Sequence, residues 1–330
     1  MDTFFLALVL SFVPAFLCAV FVYWLDRYEK EPLRLLGGAF FWGAFVAAAG
    51  ALVSQMILSG GVYLATGSEE AADLAGSTLF APLTEESLKG FAVLLVFLAF
   101  RREFDSLLDG LVYAGITALG FAATENVIYL LGFAEEHGTQ GMLGLFVVRC
   151  ILGAWDHPFY TSFIGIGLAA SRLSLSGWVR WLAPPLGWGM AVATHSLHNV
   201  LAEAASSTPE VLFLMFLIDW TGWLFVSIVI LVAIRREGRL LRAELADEVA
   251  WGTMTAAQYH TAASPLGRSV VRLRALFAGK LGVTMRLYRL AGELAHKKRQ
   301  RARFGDEGGN DRLIQGLRDE MRRLSPFAGA

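Results

Sequence analysis

The chain of 330 residues would suffice for two soluble domains, but 55% of it is hydrophobic, only 17% is charged and mean hydropathy is +0.52. Such a composition excludes disorder and an ordinary soluble globule, and two cysteines in separate apolar runs, Cys18 and Cys150, exclude a disulfide scaffold or four-thiolate metal site. The net charge of -1 conceals an asymmetry: residues 235–330 hold 19 Lys/Arg against 10 Asp/Glu, residues 1–234 hold 9 against 19, so a bilayer-embedded body (1–234) is expected ahead of a basic, water-facing C-terminal region (235–330).

A spanning helix needs about 20 mostly apolar residues. In chain order the runs that qualify are 3–25, 36–58, 77–100, 107–133, 143–170, 181–203 and 211–234. The fold class expected is all-α, a polytopic membrane protein of about seven spans with a cytosolic helical basic tail. The first run follows Met1-Asp2 without a basic leader, so it reads as a retained span. Basic residues fall in alternate loops: Arg27, Lys30 and Arg34, then Arg101 and Arg102, then Arg172 and Arg180. Loops 59–76, 134–142 and 204–210 contain no Lys or Arg. The positive-inside rule then puts the N-terminus outside the cell membrane and the C-terminus in the cytosol. In the tail, 236–259 reads as short amphipathic helices. Segment 269–304 interleaves Arg with apolar residues, which suits either the anionic inner leaflet or a small helical hairpin with a solvated basic face. No nucleic-acid recognition motif is present, and none is expected as a partner.

Ionisable residues inside spans cost roughly 2.5–3.5 kcal/mol each and mark functional sites by default. Here they are Glu85, Glu86 and Lys89 in the third run, Glu125 in the fourth, Arg149, Asp156 and His157 in the fifth, His195 and His198 in the sixth, and Asp219 in the seventh. Counted from the expected outer edges at about 1.5 Å per residue, Glu85, Glu125 and His195 lie roughly 12 Å deep and His157 roughly 21 Å deep. Polar groups from distant parts of the chain thus reach the outer half of the bilayer together.

Two imidazoles and a carboxylate make a catalytic zinc shell, with a further Glu as general base. Glu125, His157 and His195 would be the metal ligands and Zn2+ the expected cofactor. Glu85 would be the base, Glu86 beside it a second catalytic carboxylate, and Asn199 a donor to the developing oxyanion. A carboxylate and a histidine also activate water without metal, and the sequence leaves both open. Asp109 reads as a helix cap or a partner of Arg101 or Arg102. Arg149, Asp156 and Asp219 read as interhelical polar links, His137 as solvated, and Gly165 and Gly167 as close-packing positions.

These residues resemble the PrsW intramembrane proteases, distant relatives of the CAAX prenyl-endopeptidases and the bacteriocin-processing membrane proteases. The resemblance is carried by Glu85-Glu86-Ser87-Leu88-Lys89, by Phe121 to Glu125-Asn126, by the lone His157 in the next span and by His195 to Asn199. Flanking segments agree, Asp26 to Pro32 after the first span and Asp109 to Tyr113 before Phe121. The likeness covers residues 1–234 and implies endopeptidase cleavage of membrane-bound substrates; one member group cuts an anti-sigma factor on its extracytoplasmic side. It implies that Glu85 activates water while Glu125, His157 and His195 bind metal or polarise the scissile carbonyl. His198 is an additional candidate, and the tail lies outside the match. The competing reading is a proton- or ion-coupled transporter using the Glu/His cluster as a relay, although the halves show no repeat. A bis-histidine haem site through His157 would leave Glu85, Glu86 and Glu125 without a role.

Overall fold

The computed structural model describes every residue except Met1, Arg27, Glu29, Arg102, Glu307 and Gly308, and the Phe304 side chain. Arg27 and Arg102 of the charge-pattern argument, and Glu29 of the Asp26–Pro32 segment, therefore lie outside the described residues. Among those described there is no strand, and the chain is all-α. It divides into two compact units, residues 1–25 with 31–230, and residues 26–30 with 231–330.

The first unit begins with α1 (Thr3–Leu25), apolar throughout and interrupted only by Pro14. Helix α2 (Leu33–Phe41) continues through a π-helical turn at 42–47 into α3 (Ala48–Thr66), which ends on left-handed Gly67. Helix α4 (Glu69–Ala75), capped by Ser68, leads through a second π turn at 76–80 into α5 (Ala81–Ala99). Helix α6 (Leu107–Phe146) starts with a capping box in which Ser106 and Asp109 satisfy each other's backbone N–H groups, the capping role expected of Asp109. A third π turn at 147–152 follows, then α7 (Asp156–Leu173), α8 (Gly177–Ser207) and α9 (Glu210–Glu244), whose residues from 231 onward belong to the second unit.

Two breaks interrupt the helices from 107 to 173: the first falls in the loop expected at 134–142, and the second departs from the hydropathy pattern. At Gly138 the backbone turns to φ 69°, ψ -175°, a conformation that a residue with a Cβ resists. Val127, Leu130 and Leu131 before it pack on Met142, Leu145 and Cys150 after it, so α6 is a helical hairpin folded at that glycine. The second break is at 153–155: the run 143–170, expected as one continuous span, is divided there, and His157 lies in the first turn of α7. Irregular backbone in an apolar run is tolerated where it lines a cavity, as Gly153 and Ala154 do here.

Glycines set the helix crossings. A Cβ on Gly165 would come within 2.1 Å of the Gly110 carbonyl oxygen on α6, and one on Gly167 within 2.4 Å of the Ala183 carbonyl oxygen on α8. Side chains at these two positions would force α6 and α8 away from α7. In α8 the ring of Pro184 supplies no N–H to the Arg180 carbonyl, and the Ser171 hydroxyl donates to it instead at 2.7 Å.

Four helical stretches among the described residues are long and apolar enough to cross a membrane: Thr3–Leu25, Leu33–Thr66, Leu107–Leu173 and Glu210–Ala250. Helix α5 has three charged residues in nineteen, and α8 contains two prolines, two histidines and an arginine. Those polar residues lower the hydropathy of two helices that the sequence reading counted among its seven spans.

The second unit packs α10 (Ala246–Ala250), α11 (Ala256–Ala262), α12 (Pro265–Phe277), α13 (Leu281–Phe304) and α14 (Asn310–Leu324). Its core includes Leu287, Leu290 and Leu294 of α13, Leu317 and Met321 of α14, and Tyr28. Arg318 donates twice to the buried Glu248 carboxylate, the shorter bond at 2.7 Å, and Lys298 approaches the same group at 2.9 Å.

Candidate functional site

Helix α5 presents Glu85, Glu86 and Lys89 to the protein interior, all at most 3% exposed. Lys89 Nζ lies 2.6 Å from Glu86 Oε1 and 3.7 Å from Glu85 Oε2, and 4.3 Å above the Phe121 ring. One ammonium therefore serves two carboxylates, and the shorter ion pair is with Glu86. Thr161 donates to the other Glu86 oxygen at 2.8 Å, and His195 Nδ1 lies 3.0 Å from Oε1. Each Glu86 oxygen thus has a donor, which is the condition for burying a carboxylate at low cost.

The two histidines are held alike. A carboxylate only accepts, so His157 donates Nε2–H to Glu125 Oε2 at 2.7 Å and accepts at Nδ1 from Lys89 at 3.2 Å. By the same logic His195 donates Nδ1–H to Glu86, which leaves Nε2 as an acceptor 3.8 Å from Glu85 Oε2. Tyr160 stacks on the His195 ring with centroids 4.7 Å apart. Each imidazole is thereby fixed in tautomer and orientation by a carboxylate behind it, the usual setting of a metal-ligating or catalytic histidine.

Glu85 differs from its neighbours. Its Oε1 accepts from Gln55 on α3 at 3.1 Å, while Oε2 is buried without any hydrogen-bond partner. Facing it, His195 Nε2 is also an acceptor. Two buried acceptors side by side call for a species with two donors or a positive charge between them, a water molecule or a cation. Glu85, His157 and His195 each place a ligand atom within 4.8 Å of the others', so this trio has the geometry of a metal-binding group. It includes Glu85 in place of Glu125. Glu125 instead shares Oε2 between His157 and Arg149, the latter at 2.8 Å, and Arg149 also donates to Asn126.

Glu85, Glu125, His157, His195 and Asn199 all line one cavity of about 940 Å³. Asn199 donates one amide hydrogen to the Ser77 carbonyl at 2.8 Å, leaving the second for another acceptor. Arg149 is an interhelical link, as expected, and Asp219 pairs with His198 Nδ1 at 2.8 Å. His137, exposed, stacks on Phe133. Nothing in the sequence marks Gln55 or Tyr160 as part of the site. For Thr161, a Thr one turn beyond a buried His was the available signal.

The profile of the PrsW family intramembrane metalloproteases matches residues 31–234 of the chain. Protease PrsW of Bacillus subtilis strain 168 is 28% identical over 167 residues, 49% of this chain and 67% of that protein. Protease PrsW of Geobacillus kaustophilus is 26% identical over 169 residues, covering 50% and 68%, and that of Clostridioides difficile is 30% identical over 169, covering 51% and 66%. No solved structure matches.

Proposed function

Because the chain belongs to the PrsW family of intramembrane metalloproteases, it is a membrane-embedded peptide hydrolase, and we propose that it cuts membrane-bound proteins on their extracytoplasmic side, an anti-sigma factor being the kind of substrate meant. Membership of a protease family removes the ion-coupled transporter reading of the same carboxylates.

The observation that carries the mechanism is the Glu85 Oε2 that lacks a hydrogen-bond donor beside the acceptor His195 Nε2. Water donates to both acceptors there; Glu85 takes its proton as the oxygen attacks the peptide carbonyl and returns it to the amide nitrogen as the C–N bond breaks. Glu86 holds the His195 ring through Nδ1, acting as a positioning residue. The second amide hydrogen of Asn199 is assigned to the oxyanion that forms on the carbonyl.

The donor set suits a divalent ion: a carboxylate oxygen and an imidazole nitrogen with free lone pairs, plus a second imidazole, His157, whose Nε2 is tied to Glu125 and whose Nδ1 would exchange the Lys89 ammonium for the ion. Glu85, His157 and His195 would hold it in place of the bridging water, Glu85 then serving as a ligand and not as the base, zinc being the ion such ligands favour. Bound there, it would supply Lewis-acid polarisation and acidify water. Glu125, a ligand in the sequence-based assignment, is given the supporting role behind His157.

The test compares new N-termini of membrane proteins in cells expressing wild type or Glu85→Gln at matched levels. Loss of a general base costs roughly 10²–10⁴-fold, so the wild-type termini should fall below detection in the variant. Full cleavage by Glu85→Gln would overturn the assignment. Chelator treatment tests the ion separately: undiminished activity of metal-stripped protein removes the ion and leaves the Glu85–His195 chemistry standing.

A further inference from the structure

A second group of ligand-type side chains lies outside the machinery described above. Asp156 at the start of α7, His198 on α8 and Asp219 on α9 each bring one ligand atom within 4.8 Å of the others'. Asp219, 2% exposed, sits in a helix that is otherwise largely apolar, where a carboxylate costs roughly 2.5–3.5 kcal/mol on insertion scales. His198 Nδ1 lies 2.8 Å from Asp219 Oδ2, and the Tyr160 hydroxyl donates to Oδ1 at a long 3.4 Å. These contacts account for Asp219 and not for Asp156.

Asp156 is 9% exposed, and its Oδ1 has no donor in hydrogen-bonding geometry, the indole N–H of Trp223 beside the carboxylate falling short of it. The other Asp156 oxygen lies over Gly153, where a Cβ would come within 2.6 Å of it. The arginine nearby, Arg149, is committed to Glu125 and Asn126. Two carboxylates, one with an open oxygen, and an imidazole on three helices thus converge with too little positive charge among them.

We propose that Asp156, His198 and Asp219 form a second divalent-cation site, distinct from Glu85, His157 and His195. Two carboxylate oxygens and one imidazole nitrogen are the donors of zinc and manganese sites. The ion would tie α7, α8 and α9 together beside the Tyr160 hydroxyl, which bonds to Asp219. This inference stands whether or not Glu85 is the base, because it concerns other ligands and is read by metal content.

The full chain, purified in detergent and stripped with a chelator, is loaded with Zn2+ and desalted, and zinc per chain is counted by mass spectrometry. Asp219→Asn and His198→Gln should each hold one ion fewer than wild type, whereas Glu85→Gln keeps the ion those variants lose. Asp156→Asn guards against misfolding, since it keeps the size and shape of the side chain; it too should lose one ion while melting, metal-free, like wild type. Wild-type zinc content in the three variants, or no zinc on wild type, would overturn the proposal and leave the cluster as carboxylates sharing protons.

Discussion

Lys89 sets the charge balance of the buried cluster, because its ammonium touches Glu86, Glu85 and the Nδ1 face of His157 at once. Replacing it with Met leaves Glu86 a buried carboxylate with only Thr161 and His195 as donors. Removing one partner of a buried ion pair costs roughly 3–5 kcal/mol. Lys89→Met is therefore expected to lower thermal stability in detergent by that order, and adding Glu86→Gln should recover part of the loss. Equal stability of wild type and Lys89→Met would show that the pair does not hold the cluster together. Glu85, Glu86, Glu125, His157 and His195 were legible as candidates because an ionisable side chain in an apolar run is too costly to be incidental. Gln55, Thr161 and Tyr160 were not, since a neutral polar or aromatic residue in a span costs little and gains its meaning only from its partner across the helix packing. The direction of each histidine was equally hidden, since it depends on which carboxylate stands behind the ring.

Among the helices, α7 is the one that joins the site, with His157 and Thr161 reaching Glu125 and Glu86 while its small residues meet α6 and α8. Gly165 and Gly167 are two residues apart and face different neighbours, which is why a Gly-x-Gly pattern serves here where a single crossing would need one small face. Gly165→Val would push α6 from α7 and separate His157 from Glu125. The expected outcome is a lower melting temperature together with loss of cleavage, whereas valine at Gly37, where a Cβ meets nothing within 4 Å, should change neither. Normal stability and cleavage in Gly165→Val would mean that the α6–α7 approach is not needed. The close-packing role of Gly165 and Gly167 was readable from their type. The break at Gly138 falls within the expected loop 134–142, where Glu135, Glu136 and His137 interrupt the apolar run. The break at 153–155 was not located, because Gly153, Ala154 and Trp155 continue an apolar run and hydropathy registers side-chain polarity, not backbone direction. Apolar spans therefore emerged from the sequence with their number and edges approximate.

For the whole molecule, function and insertion oppose each other. The catalytic candidates on α5 and α8 make these the helices least suited to lipid by composition, so their place in the membrane depends on packing against more apolar neighbours. Loop charge bears on orientation independently of helix polarity. Arg172 and Arg180 flank one side of α7, and the residues around Gly138 include no Lys or Arg. We therefore expect a cysteine at Thr139, an exposed position near the hairpin fold, to react with a membrane-impermeant maleimide in intact cells. A cysteine at exposed Ser176 should react only after permeabilisation. The background would carry Cys18→Ala and Cys150→Ala, because both native thiols line the cavity. The reverse labelling pattern would invert the chain in the bilayer. It would move the proposed cleavage to the cytosolic side, and the anti-sigma-factor class of substrate would have to be given up while the Glu85 chemistry stayed as it is.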